Sequence, residues 1–213
     1  MAFLCLSAAA QTPTRFYENG KVGYSSSGKI IVQPHYDAGS VFCEGMALVV
    51  KDGKRGFVNE QGKIAIPLIY DDASLFHDGL ARVTANGKSG FIDLQNAIII
   101  PFQYDFAGDF VGGLARVSLN GKWGFIDKTN RVVVELVYDQ ANDFQEGMAA
   151  VCLGTKWGCI NSMGAIVIPF VYDRSFLFTN GEAKVVQGEK RFFIDKQNQV
   201  LREEKQRESL ESH

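Results

Sequence analysis

The stretch Asn120-Gly-Lys-Trp-Gly-Phe-Ile-Asp127 joins a tight turn to the beginning of a β-strand. Asn-Gly is a strong hairpin signal, because a type I′ turn needs positive φ at both of its central residues. Variants of this stretch recur about every 34 residues from Asn19 to Asp195. A fixed period of this length predicts a tandem array, in which each unit buries its apolar face only by stacking on its neighbours.

Other positions keep their residue type at the same spacing. Each unit has a Tyr-Asp pair, then a Phe, a Gly three residues later, and an Ala and a Val at two-residue steps. The Tyr-Asp pairs are Tyr36-Asp37, Tyr70-Asp71, Tyr104-Asp105, Tyr138-Asp139 and Tyr172-Asp173. Their constant phase indicates a structural role: the Tyr packs, and the Asp accepts hydrogen bonds from backbone amides of the bend that follows. A ladder of metal-binding carboxylates is the alternative.

The turn chemistry predicts two-residue hairpins throughout the chain. The four turns of the Asn-Gly or Asp-Gly type are Asn19-Gly20, Asp52-Gly53, Asn86-Gly87 and Asn120-Gly121. The next two, Gly154-Thr155 and Gly188-Glu189, place Gly first, which suits type II′. In this register Val117 faces Gly124, whose missing side chain allows a neighbour to approach closely.

A third strand is predicted in each unit from its β-branched residues, as at Ile98–Ile100. A continuous apolar run predicts burial on both faces, and Pro101 is expected to close the strand. The segment between the Tyr-Asp pair and the repeated Phe is predicted to be irregular, with one helical turn. A helical repeat of the same period is rejected, because the apolar period is 2 rather than 3.6.

The predicted fold class is therefore all-β, with short antiparallel strands stacked as an open twisted array. A six-bladed β-propeller-like ring is the alternative. The open array is favoured because the first and last units are degenerate, as capping units are. The predicted organisation is a truncated signal-like or disordered N-terminus at 1–16, six repeat units at 17–200 and a charged tail at 201–213, which is disordered or forms a short helix.

Charge and hydropathy exclude several partners and favour one location. The net charge is −2, with acids and bases mixed along the chain, so no basic groove for nucleic acid is predicted. No apolar run approaches the ~20 residues of a membrane helix. Residues 1–10 read MAFLCLSAAA, which resembles the end of a secretory signal. A secreted, periplasmic or envelope location is therefore favoured over a cytoplasmic one.

No catalytic, cofactor-binding or metal-binding residue is predicted. His35 and His77 occupy different phases of the repeat, and neither has the neighbouring nucleophile that a hydrolytic triad needs. Cys152 and Cys159 lie on one face of a predicted hairpin but are diagonally offset. Cys159 fills the slot of Phe57 and Phe125, so a buried free thiol is favoured over a disulfide.

The motif at residues 122–127, the Tyr-Asp pairs and the pattern F-x-E-G-x-A-x-V together resemble the WG-repeat family of mostly bacterial proteins. The resemblance spans about residues 17–200. The Trp itself remains at Trp123 and Trp157, and Val22, Arg55, Ser89 and Arg191 hold its slot elsewhere. The resemblance implies a β-rich array with a general role in binding or surface display, and it implies no catalytic residues.

Variable positions on fixed strands are where a repeat protein carries specificity. The candidate binding surface consists of Trp123, Trp157, Arg55, Arg191, Arg82 and Arg116, because aromatic and Arg residues are common interface anchors. A core role for both Trp residues is the alternative, and it predicts that Trp123→Ala costs roughly 3–5 kcal/mol of stability. The predicted function is a non-catalytic scaffold for an unidentified protein or peptide, with a cell-envelope glycan as the alternative ligand.

Overall fold

The computed structural model describes residues 12–204, and in this range every regular element is a β-strand. The chain divides into two compact units, unit 1 at 1–109 and unit 2 at 110–213. The strands form six antiparallel sheets that follow one another along the chain. In each sheet the strands are ordered as they are in the sequence, so every connection is a short turn or bend. The predicted all-β tandem fold is thus confirmed.

The first sheet has three strands, and the other five have four each. Sheet 1 contains β1 (Thr14–Glu18), β2 (Lys21–Ser26) and β3 (Lys29–Tyr36). Sheet 2 contains β4 (Ala38–Gly39), β5 (Met46–Lys51), β6 (Lys54–Asn59) and β7 (Ile64–Tyr70). Sheet 3 contains β8 (Asp72–Ala73), β9 (Leu80–Ala85), β10 (Lys88–Asp93) and β11 (Ile98–Tyr104).

The remaining sheets repeat the four-stranded plan. Sheet 4 contains β12 (Phe106–Val111), β13 (Leu114–Leu119), β14 (Lys122–Asp127) and β15 (Val132–Tyr138). Sheet 5 contains β16 (Gln140–Ala141), β17 (Met148–Leu153), β18 (Lys156–Asn161) and β19 (Ile166–Tyr172). Sheet 6 contains β20 (Phe178–Thr179), β21 (Glu182–Gln187), β22 (Lys190–Asp195) and β23 (Val200–Glu203). The last strand of each sheet is called its outer strand below.

The predicted hairpins are confirmed in both type and register. Asn120 and Gly121 have φ of 52° and 75°, as a type I′ turn requires. Gly154 has φ 66° and is followed by a residue with negative φ, which agrees with type II′. Val117 lies opposite Gly124 in the ladder. The turn residues therefore predict the pairing of the two strands that each hairpin joins.

Within each unit, the core lies between consecutive sheets. In unit 2, Phe125 and Tyr138 of sheet 4 pack against Ala149, Val151 and Ile160 of sheet 5. The equivalent aromatic face of sheet 1 packs against the Ala-Val face of sheet 2, and sheet 2 packs against sheet 3 in the same way. Within each unit, a sheet therefore presents an aromatic face to the sheet that follows it, and the following sheet presents a small aliphatic face in return.

The prediction that the outer strand is buried on both faces was wrong. Of the run Ile98–Ile100 in β11, only Ile100 is buried, whereas Ile98 and Ile99 are 56% and 42% exposed. The outer strand is the edge of its sheet, so only the side chains directed into the core between sheets are covered. The β-branched run therefore reflects strand propensity and an exposed surface, not a two-sided core.

Pro101 does not close its strand, which continues to Tyr104. Ile100 pairs with Phe91 and Tyr104 pairs with Ser89, so the outer strand carries two extra residues at a bulge. A Pro is tolerated there because a bulge needs fewer ladder donors. A Cβ on Gly90 would lie 2.5 Å from the carbonyl oxygen of Ile100. The close neighbour predicted for this Gly slot is therefore the bulge of its own outer strand.

The irregular segment and the tail also differ from the predictions. The segment after each Tyr-Asp pair forms a short strand rather than a helical turn; for example, Ala73 pairs with Val83. Residues 201–203, predicted to begin the tail, belong to β23, because the free edge of β22 pairs with them, as at Phe193 and Arg202. Likewise β1 begins at Thr14, within the segment predicted to precede the repeats. Residues 1–11, on which the signal and location predictions rest, and residues 205–213 lie outside the described range.

Candidate functional site

The Asp of the Tyr-Asp pair bridges two sheets. Asp139 follows β15, and its Oδ1 accepts a hydrogen bond from the ammonium group of Lys122 at 2.6 Å. Its Oδ2 accepts one from the backbone amide of Gly154 at 2.7 Å, in the hairpin turn of sheet 5. The structural role is as predicted, but the amide belongs to the turn of the next sheet, 15 residues later, rather than to the bend that follows.

We call this arrangement of Lys, Asp and turn amide the carboxylate clasp. The Lys–Asp pairs are Lys21–Asp37, Lys54–Asp71, Lys88–Asp105, Lys122–Asp139 and Lys156–Asp173. At Asp139 the hydrogen bonds from Lys122 and from the Gly154 amide hold the pKa of the carboxyl below its usual value. An anion bonded in this way connects the sheets through two charge-assisted hydrogen bonds.

The Tyr of each pair is buried, as predicted. Tyr70 is 4% exposed, and its hydroxyl donates a hydrogen bond to Oδ1 of Asn96 at 2.7 Å. Tyr172 makes the same bond to Asn198 at 2.6 Å. Burial raises the pKa of both phenols. These hydroxyls are therefore structural donors that anchor the turn of the following sheet.

The Trp slot lies within the sheet, not on a free face. Trp157 is 8% exposed and belongs to the core between sheets 5 and 6. Trp123 is only partly buried, packs at the edge of the core between sheets 4 and 5, and pairs with Ser118 and Tyr138 across the ladder. A core role is thus clear for Trp157, whereas Trp123 keeps part of its surface exposed.

The predicted Arg residues of unit 1 form a network of ion pairs. Asp72 binds the guanidinium groups of Arg55 and Arg82, the latter at 2.7 Å, and Arg82 also lies 3.8 Å from Asp109. Burial alone would raise the pKa of Asp72, but the hydrogen bond and charge of Arg82 and the charge of Arg55 bring it below the usual value. These two Arg residues are therefore already matched by carboxylates of their own unit.

The predicted residues of unit 2 fall into separate places. The guanidinium of Arg116 covers the ring of Trp123 at 4.9 Å and lies 3.2 Å from Asp143. The side chain of Arg191, in sheet 6, is 56% exposed and lies 3.9 Å from Glu204. The structure thus joins Arg55 with Arg82 and Arg116 with Trp123, and it brings neither Trp157 nor Arg191 into these groups.

The two cysteines predicted to be core thiols are buried and free. Cys159 lies opposite Ala150 and Cys152 lies opposite Trp157, which is the diagonal offset that the register predicted. Burial raises the pKa of Cys159 to about 12. This thiol is therefore a small hydrophobic core residue rather than a nucleophile.

Sequence reasoning missed a surface feature of the outer strands. In every repeat, the first residue of the β-branched run is exposed, with an exposed fraction between 41% and 60%. These residues, which we call the outer aliphatic row, are Ile30, Ile64 and Ile98 in unit 1 and Val132, Ile166 and Val200 in unit 2. Their 34-residue spacing could have identified them, but the assumption of a two-sided core assigned them to the interior.

A cleft of about 440 Å³ opens beside this row in unit 1. Its apolar lining includes Ile69 and Tyr70 of sheet 2 and Ile98 and Phe102 of sheet 3. The rings of Tyr70 and Phe102 lie 6.1 Å apart between centroids. The volume is within the range of about 300–1,000 Å³ that is typical of ligand sites. This cleft is therefore a concave apolar feature of unit 1 that adjoins the exposed row.

The described residues contain neither a metal-binding cluster nor a membrane-spanning helix. In residues 12–204 no three His, Cys, Asp or Glu side chains come together as a metal site would require. Across the same range no helix has the length and apolar character needed to cross a membrane. The acids of the repeated turn, such as Glu44 and Glu146, have positive φ, and Gly112 and Asn180 adopt it in the same slot. This slot is therefore a turn position in each of these repeats.

Comparison with known proteins gives a family and a fold. The family model described as WG containing repeat matches five consecutive segments, at 24–54, 56–88, 90–123, 123–157 and 157–190. A comparison with curated proteins gave no significant match.

Solved structures show a likeness of fold alone. A eukaryotic initiation factor aligns with a TM-score of 0.52 at 10% identity over 89% of this chain, which spans only 62% of that protein. Kluyveromyces lactis Hsv2 aligns with a TM-score of 0.52 at 12% identity over 89% of this chain and 71% of the other. A second form of that protein, in which a Gly-Ser linker replaces loop 6CD, aligns with a TM-score of 0.51 at 14% identity, covering 95% and 80% of the two chains.

Proposed function

This protein belongs to the WG-repeat family, and on that premise we propose that it is a non-catalytic repeat scaffold that binds a protein or peptide through the outer aliphatic row. The observation that carries the proposal is the exposure of the row. Ile64, Ile98 and Ile166 are 57%, 56% and 59% exposed at one phase of the repeat. Contiguous exposed apolar patches are a feature of interaction surfaces, and the shared repeat position of these residues supports such a patch.

Strand propensity does not fully account for the row. A β-branched preference would also admit Thr at this phase, yet all six residues are Ile or Val. A solvent-exposed edge strand usually carries charged residues that oppose association. Aliphatic residues at every repeat therefore support a surface that contacts an apolar partner.

The predicted Trp and Arg surface has a smaller part in this proposal. Arg55 and Arg82 are paired with Asp72, and Trp157 is buried. Arg191 and the Trp123–Arg116 pair keep exposed surface. They are candidate contacts at the periphery of a partner.

The glycan alternative has less support from the geometry. Such a module binds sugars through exposed aromatic rings, whereas the repeated Tyr residues and Trp157 are buried in the described structure. Tyr17 is 63% exposed and Phe106 is 41% exposed, but neither belongs to a repeated aromatic position. We therefore favour a peptide ligand over a glycan.

Selection from a displayed library of random peptides tests the proposal. Immobilised full-length protein is expected to enrich peptides rich in apolar residues. Their affinity should fall at least about tenfold, or ~1.4 kcal/mol, in Ile98→Lys or in Ile166→Lys. Lys is well tolerated on an edge strand, so melting temperatures should stay close to that of the wild type.

Met163→Lys is the matched control, because Met163 is 79% exposed and lies outside the row. This variant should bind the selected peptides as the wild type does. The proposal is wrong if no peptide is enriched over a blank surface, or if neither row variant weakens binding.

A further inference from the structure

The geometry points to the cleft of unit 1 as the primary peptide site, which takes an extended, uncharged segment with one bulky aliphatic or aromatic side chain. This inference rests on the proposed function and assigns it a place and a ligand chemistry. The apolar floor is formed by the rings of Tyr70 and Phe102, and Ile69 and Ile98 line the cleft at its exposed side.

The charge of the cleft selects against an ionic ligand. Its charged side chains are Lys54 and Asp71, which lie 2.5 Å apart. The second oxygen of Asp71 accepts a hydrogen bond from the backbone amide of Asn86 at 3.0 Å. Both charges are thus satisfied within the protein, so a charged side chain would lose hydration without gaining a partner. A neutral ligand matches this lining.

Two Asn residues contribute to the polar lining of the cleft. Asn86 and Asn96 both line it. The hydrogen bond from Tyr70 uses Oδ1 of Asn96, which leaves the side-chain nitrogen of Asn96 with its own donors. An amide group both donates and accepts hydrogen bonds, which is the combination that a peptide backbone requires. An extended segment can therefore bond to these amides while its side chain occupies the apolar floor.

The repeat provides an internal comparison 68 residues later, in unit 2. Tyr138 and Phe170 reproduce the ring pair, with centroids 6.1 Å apart. The residues around this pair differ from those of unit 1. Leu153 replaces Ala85, Gly154 replaces Asn86 and Gly164 replaces Asn96.

The ring pair is therefore part of the scaffold, whereas the residues at the positions of Ala85, Asn86 and Asn96 differ between these two places. Ala85 is the last residue of β9 and lines the cleft. Leu153 is the last residue of β17 and is 47% exposed. A Leu at the Ala85 position would add three carbon atoms to the lining, and the protein itself shows that a Leu is accepted at this place in the sheet.

Ala85→Leu in the full chain is the deciding variant. Peptides selected from the random library are measured by titration against wild type, Ala85→Leu and Gln187→Leu. Gln187 is the equivalent last residue of β21, so the control adds a Leu at the same strand position in unit 2. Binding is expected to weaken at least tenfold in Ala85→Leu and to stay unchanged in Gln187→Leu, with similar melting temperatures. Methyl resonances of Ile69 and Ile98 should shift on peptide addition.

The outcomes separate this inference from the proposed function. Selected peptides that bind Ala85→Leu as tightly as wild type would overturn the cleft and leave the scaffold function standing. Selected peptides dominated by charged residues would overturn the ligand chemistry. Failure to select any peptide would overturn the scaffold function, and the cleft assignment would fall with it.

Discussion

The two Trp residues occupy the same slot with different burial, and their truncation gives a quantitative comparison. Trp157 is 8% exposed. A buried aromatic side chain removes about 150–250 Å² from water, and at ~25 cal/mol per Å² this corresponds to roughly 4–6 kcal/mol as an upper estimate. Measured costs of Trp→Ala in cores fall near 3–5 kcal/mol. We therefore expect Trp157→Ala to cost about 4 kcal/mol.

Trp123→Ala should cost less, about 2–3 kcal/mol, because the side chain is only partly buried. Part of the loss comes from Arg116, whose contact with the ring is typically worth about 0.5–1 kcal/mol at an exposed site. This is below the core-sized cost that the sequence predicts for Trp123.

Equilibrium urea unfolding followed by far-UV circular dichroism measures both variants, since each substitution also removes a fluorescence probe. Val22 and Ser89 occupy the same slot in other sheets, so neither variant should change the fold. The assignment of Trp157 to the core and of Trp123 to its edge would be wrong in either of two cases. One is an equal loss of unfolding free energy in Trp123→Ala and Trp157→Ala, and the other is a loss below about 1 kcal/mol in Trp157→Ala.

Two further predictions concern the clasp and the bulge. The pKa of Asp139 is lowered, so the clasp stabilises the protein above the ordinary value of 3.8 and this contribution is lost as the pH falls through the folded pKa. Asp139→Asn should therefore lower the melting temperature at neutral pH, and the gap to the wild type should narrow at acid pH; a gap independent of pH would contradict the clasp. Gly124→Ala would place a Cβ 2.5 Å from the carbonyl oxygen of Val134 and should cost about 1–3 kcal/mol in the same urea assay. Gly112→Asn is the control, because Asn180 has positive φ in the same turn slot. It should change the free energy of unfolding by no more than about 0.5 kcal/mol. Equal losses of stability in Gly124→Ala and Gly112→Asn would refute a steric role for Gly124.

Much of the fold can be predicted from the sequence because its determinants are local. The Asn120-Gly121 turn requires positive φ at adjacent residues, and the alternation at Leu114–Leu119 places small and large side chains on opposite faces. Once the turn is set, the register follows, including Val117 opposite Gly124 and Cys159 opposite Ala150. The burial of Cys159 in an aromatic slot follows from phase alone.

The candidate site could not be predicted in this way, because it depends on contacts between separate strands. The β-branched run at Ile98–Ile100 looks the same in an interior strand and in an edge strand, and only the sheet order shows that Ile98 is exposed. The partner of Asp139 is a turn amide 15 residues away, whereas the local pattern indicated the adjacent bend.

The sequence by itself determined the repeat, the hairpin turns, the family and the repeated aromatic, Ala and Val residues of the core, because each depends on residue type at a fixed local spacing. The tertiary structure decided which strand is the edge, that Arg116 covers Trp123, and that Ala85 leaves a cleft beside Ile69 and Ile98. The reason is physical: exposure and charge pairing are set by which surfaces stacking brings together, and equivalent positions in two repeats meet different neighbours.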